Sequence, residues 1–197
     1  FFLLFFLTFP VILYTDNILS LWLKEIPPYS TIFVRLVIIE LLITALYSPI
    51  AQINQASGNI KKYQLLISLL FLLIFIFTFF AYYFSFPVYF TFVISIFMAI
   101  VGLITRLKIL ENQLNFPLKK YFYKTIKPIF FVTFVSVVVP LIFYIKMPNT
   151  ILFVFINSIL WFFCLICSVW FLGTETFERE VLLKKIYEIK QKKNDKN

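Results

Sequence analysis

The sequence predicts an all-α protein, a polytopic transmembrane helix bundle with about six spans. Three observations predict it. Hydrophobic residues make up 62% of the 197 and charged residues only 14%, against roughly 25% charged in soluble domains, so too few polar side chains exist to cover a water-exposed surface. Several apolar runs approach the ~20 residues needed to cross a hydrocarbon core about 30 Å thick. Runs such as LLISLLFLLIFIFTFF at 65–80 are apolar all round, whereas a membrane β-barrel shows segments of about ten residues alternating in polarity.

The spans fall at roughly 1–22, 29–51, 63–84, 88–107, 126–145 and 149–172. The first begins inside an apolar run, with no charged region before it and no small-residue cleavage site after it, unlike a signal peptide. The simplest expectation is the C-terminal portion of a longer chain, whose missing N-terminal half is a partner. Pro10 weakens this span. Asp16 is expected to cap a short interfacial helix, DNILSLWL, with Trp22 at headgroup depth. The alternative is that Asp16 lies level with Arg35 across a hairpin centred near Ile26 and Pro27.

The second span holds two ionisable residues, Arg35 and Glu40, and such groups inside a membrane are functional candidates by default. Five residues apart, they lie about 140° apart around a helix, so they do not pair as an i, i+4 couple would. Arg35 either snorkels towards the outer interface or faces a water-filled cavity and binds an anion, where its planar fork suits phosphate oxygens. Glu40 is deeper. It is expected to pair with a base from the missing half or to titrate in a transport cycle, because burial raises a carboxyl pKa; a coupling ion, H+ or Na+, follows from that reading, and no other cofactor is expected.

At the end of this span the composition changes to QINQASGNIKKYQ, residues 52–64. Gly58-Asn59 supplies turn residues. Gln52, Asn54 and Gln55 precede the turn. They read equally well as a polar mouth or gate and as side chains that satisfy helix-end carbonyls and headgroups. Lys61 and Lys62, with Arg106 and Lys108 after the fourth span, are expected to anchor the helices at the membrane surface.

Charge orients the bundle. The connections near 24–28, 85–87 and 146–148 carry two basic residues, against fifteen in the other connections and the tail. The positive-inside rule then puts the tail and the loops around 57 and 115 in the cytoplasm. Net charge +9 is therefore read as topology and lipid contact and not as a nucleic-acid footprint. Pro49, Pro128 and Pro140, like Pro10, lie in or at the ends of spans, where neighbouring groups or water can meet freed carbonyls. The CLIC sequence at 164–167 sits in an apolar span with no second ligand pair, so redox or metal chemistry is not expected there. No Walker loop, Rossmann fingerprint or GxSxG motif occurs, and no soluble segment of useful size separates the spans, so an enzyme is not expected. Residues 173–197 read as a cytoplasmic amphipathic, basic tail, with Glu early, Lys late and a Glu180–Lys184 pair, lying on the inner leaflet.

The stretch DNILSLWLKEIPPYSTIFVRLVIIELLITALYSPIAQINQASGNIKKYQ resembles the C-terminal half of bacterial polysaccharide repeat-unit flippases, of O-antigen and capsule export type, in the multidrug/oligosaccharidyl-lipid/polysaccharide exporter superfamily. Trp22-Leu23, Pro28-Tyr29, Arg35-Leu36, Pro49 and ASGNIKKYQ at 56–64 carry the likeness, and PVYFTFVISIFMAIVGLITRLKIL at 87–110 continues it. The resemblance implies the second lobe of a two-lobe, MATE-like bundle plus two extra C-terminal helices: 1–107 the last four helices of the lobe, 108–125 a basic cytoplasmic loop, 126–172 the additional pair. It implies alternating access that moves an undecaprenyl-pyrophosphate-linked oligosaccharide across the bacterial inner membrane for lipopolysaccharide or capsule synthesis. The partners are then that lipid-linked oligosaccharide and membrane lipids, with no nucleic acid. The rivals are a multidrug or cation exporter of the same superfamily, a membrane-embedded glycan polymerase or ligase, whose large outer loop is lacking here, and a structural subunit.

Overall fold

In a computed structural model, residues 1–57, 60–146 and 150–174 are described, apart from the side chains of Lys62 and Ile151. The Gly58-Asn59 turn and the tail from residue 175 onward lie outside the described residues. The described chain is all-α: α1 (Phe2–Leu13), α2 (Thr15–Ser20), α3 (Ser30–Ala56), α4 (Ile60–Tyr83), α5 (Phe90–Leu114), α6 (Leu118–Tyr121), α7 (Lys127–Lys146) and α8 (Ile151–Ser168), with π-helical segments at Phe122–Ile126 and Val169–Gly173. Five helices are long and apolar enough to cross a membrane, and the protein is a multi-pass membrane protein.

The remaining expected span, 1–22, is broken at Tyr14 into the 12-residue α1 and the 6-residue α2. At the break the Thr15 hydroxyl donates to Val11 O at 2.6 Å and to Ile12 O at 3.1 Å; Pro10, inside α1, lacks the N–H that would otherwise be sent to the carbonyl of Phe6. That freed carbonyl is met from another helix, because Trp161 Nε1 donates to Phe6 O at 3.3 Å. Trp161 is 1% exposed, and its rings lie 4.0 Å from Phe9 and 4.9 Å from Phe5, centroid to centroid. With Val132 and Leu165 these residues form the core of the bundle. In hydrocarbon such a core is held by close packing and interhelical hydrogen bonds and not by the hydrophobic effect.

The helices form two groups. α3 packs along α5, α4 returns along α5, and α7 pairs with α8; α1 touches both α3 and α8. The additional pair is therefore not a separate appendage, since α1 shares its core. Ser57 at the end of α3 donates to Gln113 Oε1 near the end of α5 at 2.7 Å, and the Tyr29 and Tyr89 rings meet at the opposite end. α3 and α5 thus run parallel, which collects the basic residues 61, 108, 119, 120, 124 and 127 at one end of the bundle.

The expected basic loop at 108–125 is largely helical. α5 continues to Leu114, because Leu110 stays on its buried face and is 0% exposed. Asn115 then ends it with a left-handed backbone, φ 49°, a conformation asparagine tolerates, and Pro117 starts the next helical run. With only three glycines in the chain, Tyr29 and Ser85 also take positive φ, 68° and 61°, at the opposite-end turns.

Candidate functional site

Three polar clusters interrupt the apolar helices. In the first, Arg35 of α3 reaches the break in the first span. Its Nε donates to Ile12 O at 3.0 Å, and its Nη2 to Asp16 Oδ2 at 3.4 Å. Thr31 Oγ1 donates to Asp16 Oδ1 at 2.5 Å. Asp16 makes no cap for α2, whose N-cap residue is Tyr14 with no side-chain cap bond. The expected capping role is thus replaced by the hairpin alternative, because the carboxylate is level with a guanidinium and turns to it. Arg35 therefore carries an internal carboxylate and a backbone carbonyl, in a half-exposed position.

The second cluster lies between α3, α4 and α5, with Arg106 buried and Glu40, Tyr47 and Ser95 half-buried. Ser95 Oγ donates to Glu40 Oε1 at 2.5 Å. Glu40, Tyr47, Ser95, Gly102 and Arg106 line one cavity of about 30 Å³, enough for one or two waters. Arg106 is 6% exposed. Its guanidinium carbon lies 4.1 Å above the centre of the Tyr47 ring, and its Nε donates to Tyr63 Oη at 3.3 Å. Gly102 one turn earlier makes the room: a Cβ there would lie 2.6 Å from Arg106 Nη1. Glu40 and Arg106 line this cavity without an ion pair between them, and an acidic and a basic group that share a small cavity in low-dielectric surroundings attract strongly when both are charged.

Arg106 thus corrects its reading as a surface anchor. Lys108, two residues on, points the other way and is exposed, as is Lys61. The proximity of Arg106 to the basic connection hid its role. A signal was present in the spacing: Met98, Gly102, Arg106 and Leu110 recur every four residues, and all four are buried. Arg35 and Glu40, the two ionisable residues of the second span, lie apart. Arg35 faces α1 and Glu40 faces α5, as their angular separation on the helix requires.

The polar run divides as well. Gln52 and Gln55 are exposed. Asn54 is 0% exposed, and its Nδ2 donates to Ile50 O at 3.0 Å and to Arg106 O at 3.1 Å. Its Oδ1 is buried without a partner.

The third cluster joins the additional helices to the first. Asn157 Nδ2 donates to Tyr14 Oη at 2.7 Å and to Pro140 O at 3.1 Å, so one amide holds α8, α7 and the break after α1.

Among the described residues no group of His, Cys, Asp or Glu is arranged to hold a metal ion, and Cys164 and Cys167 are free thiols. What the second cluster can do is bind: a ring-held cation and a carboxylate that line one cavity of water size can recognise an anionic oxygen, a hydroxyl or a water. No protein-family model, curated protein or solved structure matches this chain.

Proposed function

We propose that this chain belongs to a transporter, and not an enzyme, that moves a lipid-linked oligosaccharide across the bacterial inner membrane by alternating access, as polysaccharide repeat-unit flippases do. On this reading the basic end faces the cytoplasm. The observation that carries the proposal is that Arg106 and Glu40 line the same cavity between membrane-spanning helices without an ion pair between them. A charge at that depth is costly, and a static structural role does not call for a guanidinium and a carboxylate that share a cavity without an ion pair. The resemblance carried by residues 16–64 and 87–110 supports the substrate class. A multidrug or cation exporter is the second reading, favoured by the Glu40 carboxylate, which suits a cationic group.

The test is complementation with the full-length protein. Arg106→Ala and Arg35→Ala are introduced separately, and surface polysaccharide is measured beside the cytoplasmic pool of lipid-linked repeat units. Arg106→Ala is expected to lower surface glycan and raise the pool while the protein still inserts. If removing the whole protein leaves surface glycan unchanged, the flippase reading fails. Sensitivity of the deleted strain to amphiphilic cations would then favour the exporter reading.

A further inference from the structure

We infer that the α6–α7 junction is a binding site for the headgroup of an anionic phospholipid. The inference rests on the membrane-spanning architecture and not on the proposed transport activity. Lys119, Lys120 and Lys127 are all exposed at the start of one long apolar helical run, Leu118–Lys146. No Asp or Glu occurs anywhere from residue 112 to residue 174, so neither this run nor α8, which packs on it, supplies a carboxylate to these lysines. α1 carries none either.

Aromatic residues sit at the same level. Phe122 and Tyr123 are exposed, and Lys127 Nζ lies 5.6 Å from the centre of the Tyr123 ring and 5.9 Å from that of Phe131. Lysine beside exposed aromatic rings at the end of an apolar helix is the chemistry of a headgroup interface, and a cluster of lysines to which its own helical run, α8 and α1 supply no carboxylate selects negative lipid.

The backbone widens at this point. Residues Phe122–Ile126 are π-helical, with the Lys127 N–H bonded to Phe122 O, and Pro128 directly after removes the next donor. The second π-helical segment, Val169–Gly173, packs against α7. Between the two segments opens a cleft of about 410 Å³, lined by Tyr123, Lys124, Thr125 and Pro128 on one side and by Gly173 and Thr174 on the other, a volume within the range of small-ligand sites; Lys119, Lys120 and Lys127 lie on the same helical run outside this lining. Phosphate oxygens meet the lysines on the face of the run beside the cleft, the Tyr123 and Thr125 hydroxyls meet the polar remainder of the headgroup, and the acyl chains run along Phe130, Phe131 and Phe134, all exposed.

Tryptophan fluorescence reads the site directly. Trp170 lies in the second π-helical segment, Trp161 is buried, and Trp22 is exposed at the opposite end. The chain carrying Trp22→Phe is reconstituted in bilayers with brominated phosphatidylglycerol or brominated phosphatidylcholine, and quenching is followed against mole fraction. Each lysine at an anionic surface is worth about fivefold in binding, so a preference for phosphatidylglycerol of about tenfold or more is expected. Lys119→Gln, Lys120→Gln and Lys127→Gln together should bring the two lipids within about twofold at unchanged helix content. Salt at about 0.5 M, which shortens the screening length to a few Å, should do the same to the unaltered lysines, so the inference stays testable if the triple variant does not fold. Equal quenching by the two lipids at low salt, or a preference that survives high salt or the triple change, overturns it. Inorganic phosphate at millimolar concentration should leave the preference intact; its loss would reassign the site to a free anion.

Discussion

The Nδ2 of Asn54 donates to the backbone carbonyl of Arg106 at 3.1 Å, so the polar end of α3 is tied to the residue whose guanidinium fills the cavity opposite Glu40. The bond is buried, and it fixes the register of α3 against α5 one turn from the basic end. Asn54→Ala is expected to destabilise the protein by about 0.5–1.5 kcal/mol, because the lost bond is partly offset by removal of the unpartnered Oδ1. Thermal unfolding in detergent measures it, and Gln52→Ala and Gln55→Ala, both at exposed positions, should each change the midpoint far less.

The Arg106–Tyr47 contact is expected to be worth about 1–2 kcal/mol, since a desolvated cation over a ring exceeds the value for an exposed one. A double-mutant cycle of Arg106→Met with Tyr47→Leu isolates it. Strict additivity of the two changes would show that the ring does not hold the guanidinium.

Gly102 is expected to be intolerant of any side chain. Alanine there brings a Cβ within 2.6 Å of Arg106 Nη1. The guanidinium is the flexible end of its side chain, but here it is buried and held by Tyr47 and Tyr63, so it must leave both. Gly102→Ala should cost about 1–3 kcal/mol and, on the proposed function, lower surface glycan as Arg106→Ala is expected to do. Gly173→Ala, whose Cβ meets Val132 Cγ2 at 3.3 Å, should be the milder change in the same unfolding assay.

Trp161→Phe keeps a ring in the core and removes the donor to Phe6 O. With Pro10 in place that carbonyl loses its interhelical partner, and a loss of about 1–3 kcal/mol is expected. Pro10→Ala restores the intrahelical N–H, so Trp161→Phe should cost less in that background. An equal cost in both backgrounds would show that ring packing alone accounts for the effect.

The Arg35–Asp16 pair has side-chain exposures of 37% and 60%, and a pair so exposed contributes little, about 0–1 kcal/mol, with screening by salt. Asp16→Asn should therefore scarcely move the unfolding midpoint. Arg35→Ala should move it more, because it also withdraws the donor from Ile12 O at the break between α1 and α2.

The sequence by itself determined the all-α membrane-spanning architecture, the places of the five long helices and the collection of lysines at one end. These are properties of composition and run length, because hydrocarbon admits only helices or closed barrels and runs near 20 residues leave no choice. It also separated Arg35 from Glu40, since five residues on a helix set their angle whatever surrounds them. Only the tertiary structure decided where each charge points. Arg106 read as an anchor because its neighbours in sequence are basic, yet its neighbours in space are Tyr47, Tyr63 and Gly102. Asp16 read as a cap because of its place before an apolar run, yet the break at Tyr14 sets it level with Arg35. Both outcomes depend on contacts between residues far apart in the chain, and such contacts follow from which faces of the helices meet, which local pattern and composition do not specify.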